Sequence, residues 1–165
     1  MKWLSLVVLC WAVVGNSLSV QAQERLAPEK VILSVVSAEK TVEFHLSDLD
    51  ALDQHTVTTK TPWTDQEQFS GPLVRDVLKK VFARDVSADD EPLTAYALNH
   101  YTVKLRRDLL AEYAVILATR MNGKTMRIRN KGPIWIVFPL DQHPQLDNTE
   151  VHSQMVWQLN KLESR

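Results

Sequence analysis

Two apolar runs, "AVILATRM" (114–121) and "PIWIVFPL" (133–140), constrain this chain more than any other feature. Both are apolar at successive positions rather than alternating. An extended run of that kind must bury both faces, which requires further layers of structure above and below it. Between them Asn122-Gly123 signals a tight two-residue turn. The stretch from Leu117 to Pro139 holds five cations (Arg120, Lys124, Arg127, Arg129 and Lys131) and no acid. If 125–131 is extended, Arg127, Arg129 and Lys131 share one face, and Met126 and Ile128 the other. Such a face can simply be solvated. Its chemistry also suits an anion or polar-heterocycle site, or the surface of an acidic partner.

The remaining pattern supplies the layers. "VILSVVSAEKTVEFHL" (31–46) reads as a hairpin. "LSDLDALDQ" reads as a short helix with Ser47 as N-cap and Leu49 and Leu52 on one face. "HTVTTKT" (55–61) alternates as a strand and ends at Pro62-Trp63. "SGPLVRDVLKKVFA" is the clearest helix, with Ser70 as cap, Pro72 in the first turn and a stripe of Leu73, Val74, Val77, Leu78, Val81 and Phe82. "LTAYALN" and "YTVKL" read as strands and "RRDLLAEY" as a short helix. The tail "SQMVWQLNKLE" fits a strand by alternation, with a helix as the alternative. Strands outnumber short helices, which predicts one α+β domain with a mixed β-sheet.

At the N-terminus, Lys2, the apolar run "WLSLVVLCWAVV" and "SVQA" make the three regions of a signal peptide cleaved near Ala22. The run is shorter than the ~20 residues a membrane span needs. The expectation is therefore an exported chain, residues 23–165, with no membrane insertion after cleavage. Losing Lys2 takes the formal charge from −1 to −2, which argues against nucleic acid as a partner. The single cysteine, Cys10, leaves with the signal peptide, so the mature chain has no disulfide, thiolate ligand or thiol nucleophile.

Candidate chemistry is sparse. His45, His55, His100, His143 and His152 have no metal-ligand spacing, and no nucleophile elbow or phosphate-cradling glycine loop occurs. Asp65, Asp89, Asp90 and Glu91 read as surface loop acids. Trp63, held by Pro62 before polar residues, is either a cover for the core edge or a stacking platform. Trp135 reads as core, and Trp157 fits either role.

"AVILATRMNGKTMRIRNKGPIWIVFPLD" followed by "VHSQMVWQLNKLE" resembles the molybdopterin-binding domain of the sulfite oxidase family. The resemblance rests on Met121-Asn122-Gly123, Gly132-Pro133, Pro139 and Trp157. "FSGPLVRDVLKKV" is similar to a helix start of that family, and "ALNHYTVKL" to the strand pair carrying its active-site tyrosine, which falls on Tyr101. The departures are specific. Where the enzymes have a molybdenum-binding cysteine, this chain has "HTVTTKTPWTD", and neither Lys nor Thr is a soft ligand. Trp135 replaces an arginine, and "DQHPQLDNTEVH" replaces a glycine-rich run.

"TPWT" and "ALN-x-Y" further resemble the small exported branch of this fold, the PruR-like pterin-binding regulators. That resemblance implies a periplasmic, non-enzymatic protein that binds a reduced pterin and no molybdenum. It implies a membrane GGDEF-EAL partner controlling cyclic-di-GMP and biofilm formation. His100 departs from that branch and is given no role. On this reading Trp63 and Tyr101 supply faces for the ring, and Asn99 meets its pyrimidine edge. Arg120, Arg127, Arg129 and Lys131 donate to the ring carbonyl or tail, with Arg120 and Arg129 foremost and Lys124 left to solvent or partner. The alternative is a molybdopterin-dependent oxidoreductase. A third possibility is an adaptor that keeps the fold with a closed pocket.

Overall fold

A computed structural model describes residues 29–83, 85 and 91–164. The expected signal peptide, Cys10, Asp89 and Asp90 lie outside the described residues. No helix among these residues is long and apolar enough to cross a membrane.

The first two strands, β1 (Leu33–Val36) and β2 (Thr41–Phe44), pair antiparallel as the sequence predicts. Their turn is fixed by Ser37, whose Oγ accepts from the amides of Glu39 and Lys40. Helix α1 (Leu46–Asp50) follows, with Leu49 buried. Its N-cap is His45 rather than Ser47. Asp48 Oδ2 accepts from the His45 amide at 2.8 Å, and Ser47 Oγ instead donates to Glu29.

Strand β3 (His55–Thr61) keeps the predicted bounds and turns at Pro62-Trp63 into β4 (Thr64–Gly71). Thr61 Oγ1 closes that turn by accepting from the amides of Trp63 and Thr64, at 3.1 and 3.0 Å. The polar stretch 64–71 carried no strand pattern, because β4 is held by neighbours on both sides rather than by an apolar face of its own. Ser70 is consequently a strand residue and not a helix cap. Helix α2 (Val74–Phe82) starts later, after Leu73, and buries the expected stripe. Gly71 allows a close crossing: a Cβ there would lie 1.9 Å from the Leu117 carbonyl oxygen.

Strands β5 (Leu93–Ala97) and β6 (Thr102–Leu105) form a hairpin, followed by α3 (Arg107–Glu112). The run "AVILATRM" is not one strand. It splits at Thr119 into β7 (Ile116–Ala118) and β8 (Arg120–Met121), because its two ends pair with different neighbours. Strand β8 turns at Asn122-Gly123, with Asn122 at φ 50°, into β9 (Lys124–Thr125), the tight hairpin the dipeptide predicts.

The next segment overturns the extended reading of 125–131. Ile128–Asn130 forms a single turn of 3-10 helix, and Lys131 is left-handed at φ 66°. Met126 is therefore buried while Ile128 is 47% exposed, so they do not share a face. Gly132 makes the return possible: a Cβ there would meet the Met126 carbonyl oxygen at 2.1 Å. Strand β10 (Trp135–Val137) then pairs antiparallel with β7. The ambiguous tail is a strand, β11 (Leu159–Ser164), and only its first two residues belong to a helix, α4 (Thr149–Gln154), which begins upstream of it.

The main sheet has five strands in the order β2-β1-β11-β5-β6, with β1 and β11 parallel. The last strand is thus inserted between the first hairpin and the β5–β6 hairpin. A four-stranded sheet, β3-β4-β8-β9, and the β7–β10 pair complete the architecture. The core between these layers contains Trp135, Phe69, Phe138, Ile116, Leu117, Ile134 and Ile136, all fully buried. This is the α+β organisation with short helices that the sequence predicts, and the two non-alternating runs lie at its centre.

Candidate functional site

The β3–β4 turn projects Trp63 into solvent at 43% exposure, so its role as a simple cover is incomplete. Its indole stacks on Trp157, with ring centroids 6.0 Å apart and planes 17° apart. Trp157 is positioned by an antiparallel bridge to Trp135 just before β11 begins. Trp135 is the floor: it is fully buried, donates Nε1–H to the Met155 carbonyl at 3.0 Å, and packs edge-on against Phe69. A surface ring is thereby fixed to the core through two further rings.

Lys131 completes the cluster. Its Nζ lies 4.9 Å from the Trp157 ring centroid and 5.6 Å from that of Trp135, within cation–π range. The left-handed backbone at Lys131, held by its carbonyl accepting from the Gln158 amide, gives the side chain this direction.

On the opposite side, Tyr101 is 40% exposed and its hydroxyl donates to the Ser153 carbonyl at 2.9 Å. A cleft of about 270 Å³ lies between, lined by Trp63, Trp157, Tyr101, Met155, Thr149, His152 and Ser153. Asn148 caps α4 by accepting from the Val151 amide, and this helix start carries Thr149, His152 and Ser153 to the cleft. His152 Nε2 lies 2.8 Å from Asp147 Oδ1, and Lys60 reaches the other oxygen at 3.3 Å. The hydrogen bond from His152, then that from Lys60, holds the Asp147 carboxyl below the usual carboxylate range.

Of the seven residues named from the sequence, the structure brings Trp63, Tyr101 and Lys131 into one neighbourhood. The other four sit elsewhere. Asn99 does not line the cleft: its Oδ1 accepts from the Tyr101 amide at 3.1 Å and shapes the turn that presents the tyrosine. Arg120 makes a two-pronged ion pair with Asp50, with Nη1–Oδ1 at 2.5 Å and Nη2–Oδ2 at 2.8 Å, and so ties β8 to α1. That hydrogen-bonded guanidinium holds the Asp50 carboxyl below its usual range. Arg127 lines a different cavity, and Arg129 projects from the 3-10 turn. Neither guanidinium makes an ion pair among the described residues.

Sequence reasoning missed the Trp63–Trp157 stack and the His152–Asp147 pair. Trp157 lies 94 positions beyond Trp63, and no local pattern links them. The Asp147/His152 spacing of five falls across a helix start, where neither helical nor strand periodicity applies. Among the described residues, no group of three or more His, Cys, Asp or Glu could hold a metal ion.

No family model matches the chain, and no curated protein matches it. Among solved structures it is similar to the sulfane dehydrogenase SoxCD from Paracoccus pantotrophus. The TM-score is 0.58 at 16% identity, and the match covers 84% of this chain. The chain spans only 39% of the length of that relative, so the likeness concerns one part of a larger protein. At that identity the likeness carries the fold and nothing finer: the chain has the α+β fold of a sulfite-oxidase-type domain.

Proposed function

We propose that this chain is a non-enzymatic, exported pterin-binding domain that reports ligand state to a membrane GGDEF-EAL partner, and so acts on cyclic-di-GMP signalling and biofilm formation. The observation that carries the reading is the aromatic cleft, with a tryptophan stack and a tyrosine facing a space the size of a bicyclic ring. Binding sites are typically about 300–1,000 Å³, and about 270 Å³ suits a small flat ligand with its tail in solvent. A ring slipped between two indoles needs about 7 Å between their planes, twice a van der Waals contact. Trp63 and Trp157 are too close for that. The pterin therefore lies in the cleft against their exposed surfaces, with Tyr101 opposite. Thr149, His152 and Ser153 of α4 are the polar residues that line it, with Lys131 beside it over Trp157.

The donor set does not fit molybdenum. The only cysteine of the chain is Cys10, and the strand end that resembles the enzymes' ligand position presents Thr61 and Trp63. Zinc-like or molybdenum-like binding would need soft or convergent ligands that the cleft does not offer. The likeness to a sulfane dehydrogenase supports the alternative of a molybdopterin-dependent oxidoreductase. Stoichiometric molybdenum in the purified protein would establish it in place of the present reading.

The test is titration of the mature protein with a reduced tetrahydropterin, followed by tryptophan quenching and calorimetry. Binding at micromolar concentrations, lost in Trp63→Ala and Tyr101→Ala with the fold intact, is the expected outcome. If neither the exported protein nor its refolded form binds any pterin, the reading fails. A chain whose partner signalling survives both substitutions unchanged is instead an adaptor.

A further inference from the structure

A second cavity, larger than the aromatic cleft at about 480 Å³, lies on the other side of the β5–β6 turn. Its walls are aliphatic: Ile32, Leu98, Met126, Ile128 and Pro133. Leu98 and Ile128 are 41% and 47% exposed, so half of the exposed large hydrophobic residues in the described chain gather here. Two exposed cations, Lys30 and Arg127, also line it. Neither makes an ion pair among the described residues.

Asn160 adds a specific polar group. The register between β11 and β5 shifts at this residue, which makes it the extra residue of a β-bulge. Bulges re-aim a side chain off the regular alternation of the strand. Here the bulge brings an amide to the wall of an otherwise aliphatic cavity. The Asn160 Oδ1 is shielded from solvent and accepts no hydrogen bond. Buried acceptors are almost always paired, because an unmade hydrogen bond is costly. As placed, that oxygen has no accessible surface, so it meets the cavity only on rotation about the broad terminal amide torsion.

We propose that this cavity binds an N-acylated apolar α-amino carboxylate, the chemistry of a peptide C-terminus ending in an aliphatic residue. The aliphatic side chain fills the space between Leu98, Met126 and Ile128. The carboxylate pairs with Arg127 and Lys30, and the acylated N–H donates to Asn160 Oδ1. Each of the three features of the cavity then has one complement on the ligand. A purely apolar ligand would leave the cations and the amide unused, and a sugar or nucleotide would leave the aliphatic walls facing polar groups. The same chemistry comes from a free N-acyl amino acid or from the end of a protein chain.

The experiment uses the mature protein with N-acetyl-L-leucine, N-acetyl-L-leucinamide and a hexapeptide ending in leucine, free or C-terminally amidated. Binding is read by calorimetry and ligand-observed NMR. N-acetyl-L-leucine is expected to bind, and the leucinamide about a hundredfold more weakly, the loss of the carboxylate's charge-assisted contacts to both cations. Arg127→Gln should weaken N-acetyl-L-leucine about tenfold, the loss of one of the two, and leave the leucinamide unchanged. Asn160→Leu should abolish binding of both while the melting temperature holds or rises, because an unpaired buried acceptor has been removed. Tetrahydropterin binding at the aromatic cleft should be the same in wild type and both variants, which separates this site from the pterin reading. Tighter binding of the free hexapeptide than of N-acetyl-L-leucine identifies the source as a protein terminus, and equal or weaker binding identifies a free metabolite. No binding at millimolar concentration overturns the proposal. So does equal affinity for acid and amide, or indifference to Asn160→Leu.

Discussion

The two cavities flank one turn and divide its residues between them, and they are built from opposite materials. Tyr101 faces the aromatic cleft, while Leu98, three residues earlier, faces the aliphatic one. Gln158 stands between them: its amide donates to the Lys131 carbonyl, its side chain to the Ile128 carbonyl, and its own carbonyl accepts from the Leu98 amide. The aromatic cleft rests on the buried core through Trp135. The aliphatic cavity rests on the outer face of the five-stranded sheet, where Ile32 and Ser34 alternate with buried Leu33 and Val35. One site is therefore a property of the core, and the other is a property of a loop laid over a sheet. Substitutions should separate them sharply in stability.

The largest effect should come from the floor of the aromatic cleft. Trp135→Ala removes a fully buried indole and its hydrogen bond to Met155, and should cost about 3–5 kcal/mol. Ile128→Ala, in the wall of the aliphatic cavity, removes an exposed side chain and should shift stability by no more than about 0.5 kcal/mol. Urea unfolding of both variants checks the contrast. Comparable losses would mean that the 126–133 loop is as much a part of the core as Trp135 is.

A smaller effect tests the cationic connection that belongs to neither cavity. Arg120 is committed to Asp50, and the pair is about one-third exposed, so it should contribute about 1 kcal/mol or less. Asp50 titrates lower in the folded chain than in the unfolded one. The unfolded chain therefore takes up the proton first as the pH falls. The contribution of the pair is whole above the ordinary carboxylate range and is lost as the pH drops through the folded value. Asp50→Asn should lower the melting temperature at pH 7 and flatten the acid side of the stability profile. At a pH below the folded titration, the variant and the wild type should converge.

The layers were legible in the sequence because burial on two faces leaves a mark: the runs at 114–121 and 133–140 are apolar without alternation. The hairpin at 31–46, the strands within 93–105 and the stripe of α2 were legible from their own apolar patterns. Strand β4 was not, since its polar residues are held by backbone pairing to β3 and β8. The cationic stretch was misread for a related reason. Strand geometry was assumed through 125–131, but Gly132 and left-handed Lys131 turn the chain back within one 3-10 turn. Arg127, Arg129 and Lys131, which looked like one face, thus scatter to a second cavity, solvent and the tryptophan stack, while Arg120 is held in an ion pair. Among the residues named for the site, Trp63 was readable because Pro62 holds it at a strand end, whereas Tyr101 came only from the resemblance of "ALNHYTVKL". Their partner Trp157 was not readable, because only the tertiary fold brings it to them.

The smallest effect concerns Lys131, where the two contributions have opposite signs. The cation over Trp157 is worth about 0.5–1 kcal/mol at a partly exposed site. The left-handed backbone costs a non-glycine residue about 1 kcal/mol. Lys131→Met removes the first contribution and keeps the second, so it should destabilise slightly. Lys131→Gly removes both, and should be near neutral in chemical unfolding. The difference between the two variants isolates the backbone cost, whereas the difference between wild type and Lys131→Met isolates the cation. If the aromatic cleft alone depends on this lysine, pterin affinity should fall equally in both variants, and N-acetyl-L-leucine affinity should change in neither. A fall in the latter would mean that Gln158, bonded to the carbonyls of both Ile128 and Lys131, transmits strain from one cavity to the other, and the two sites would be one coupled device.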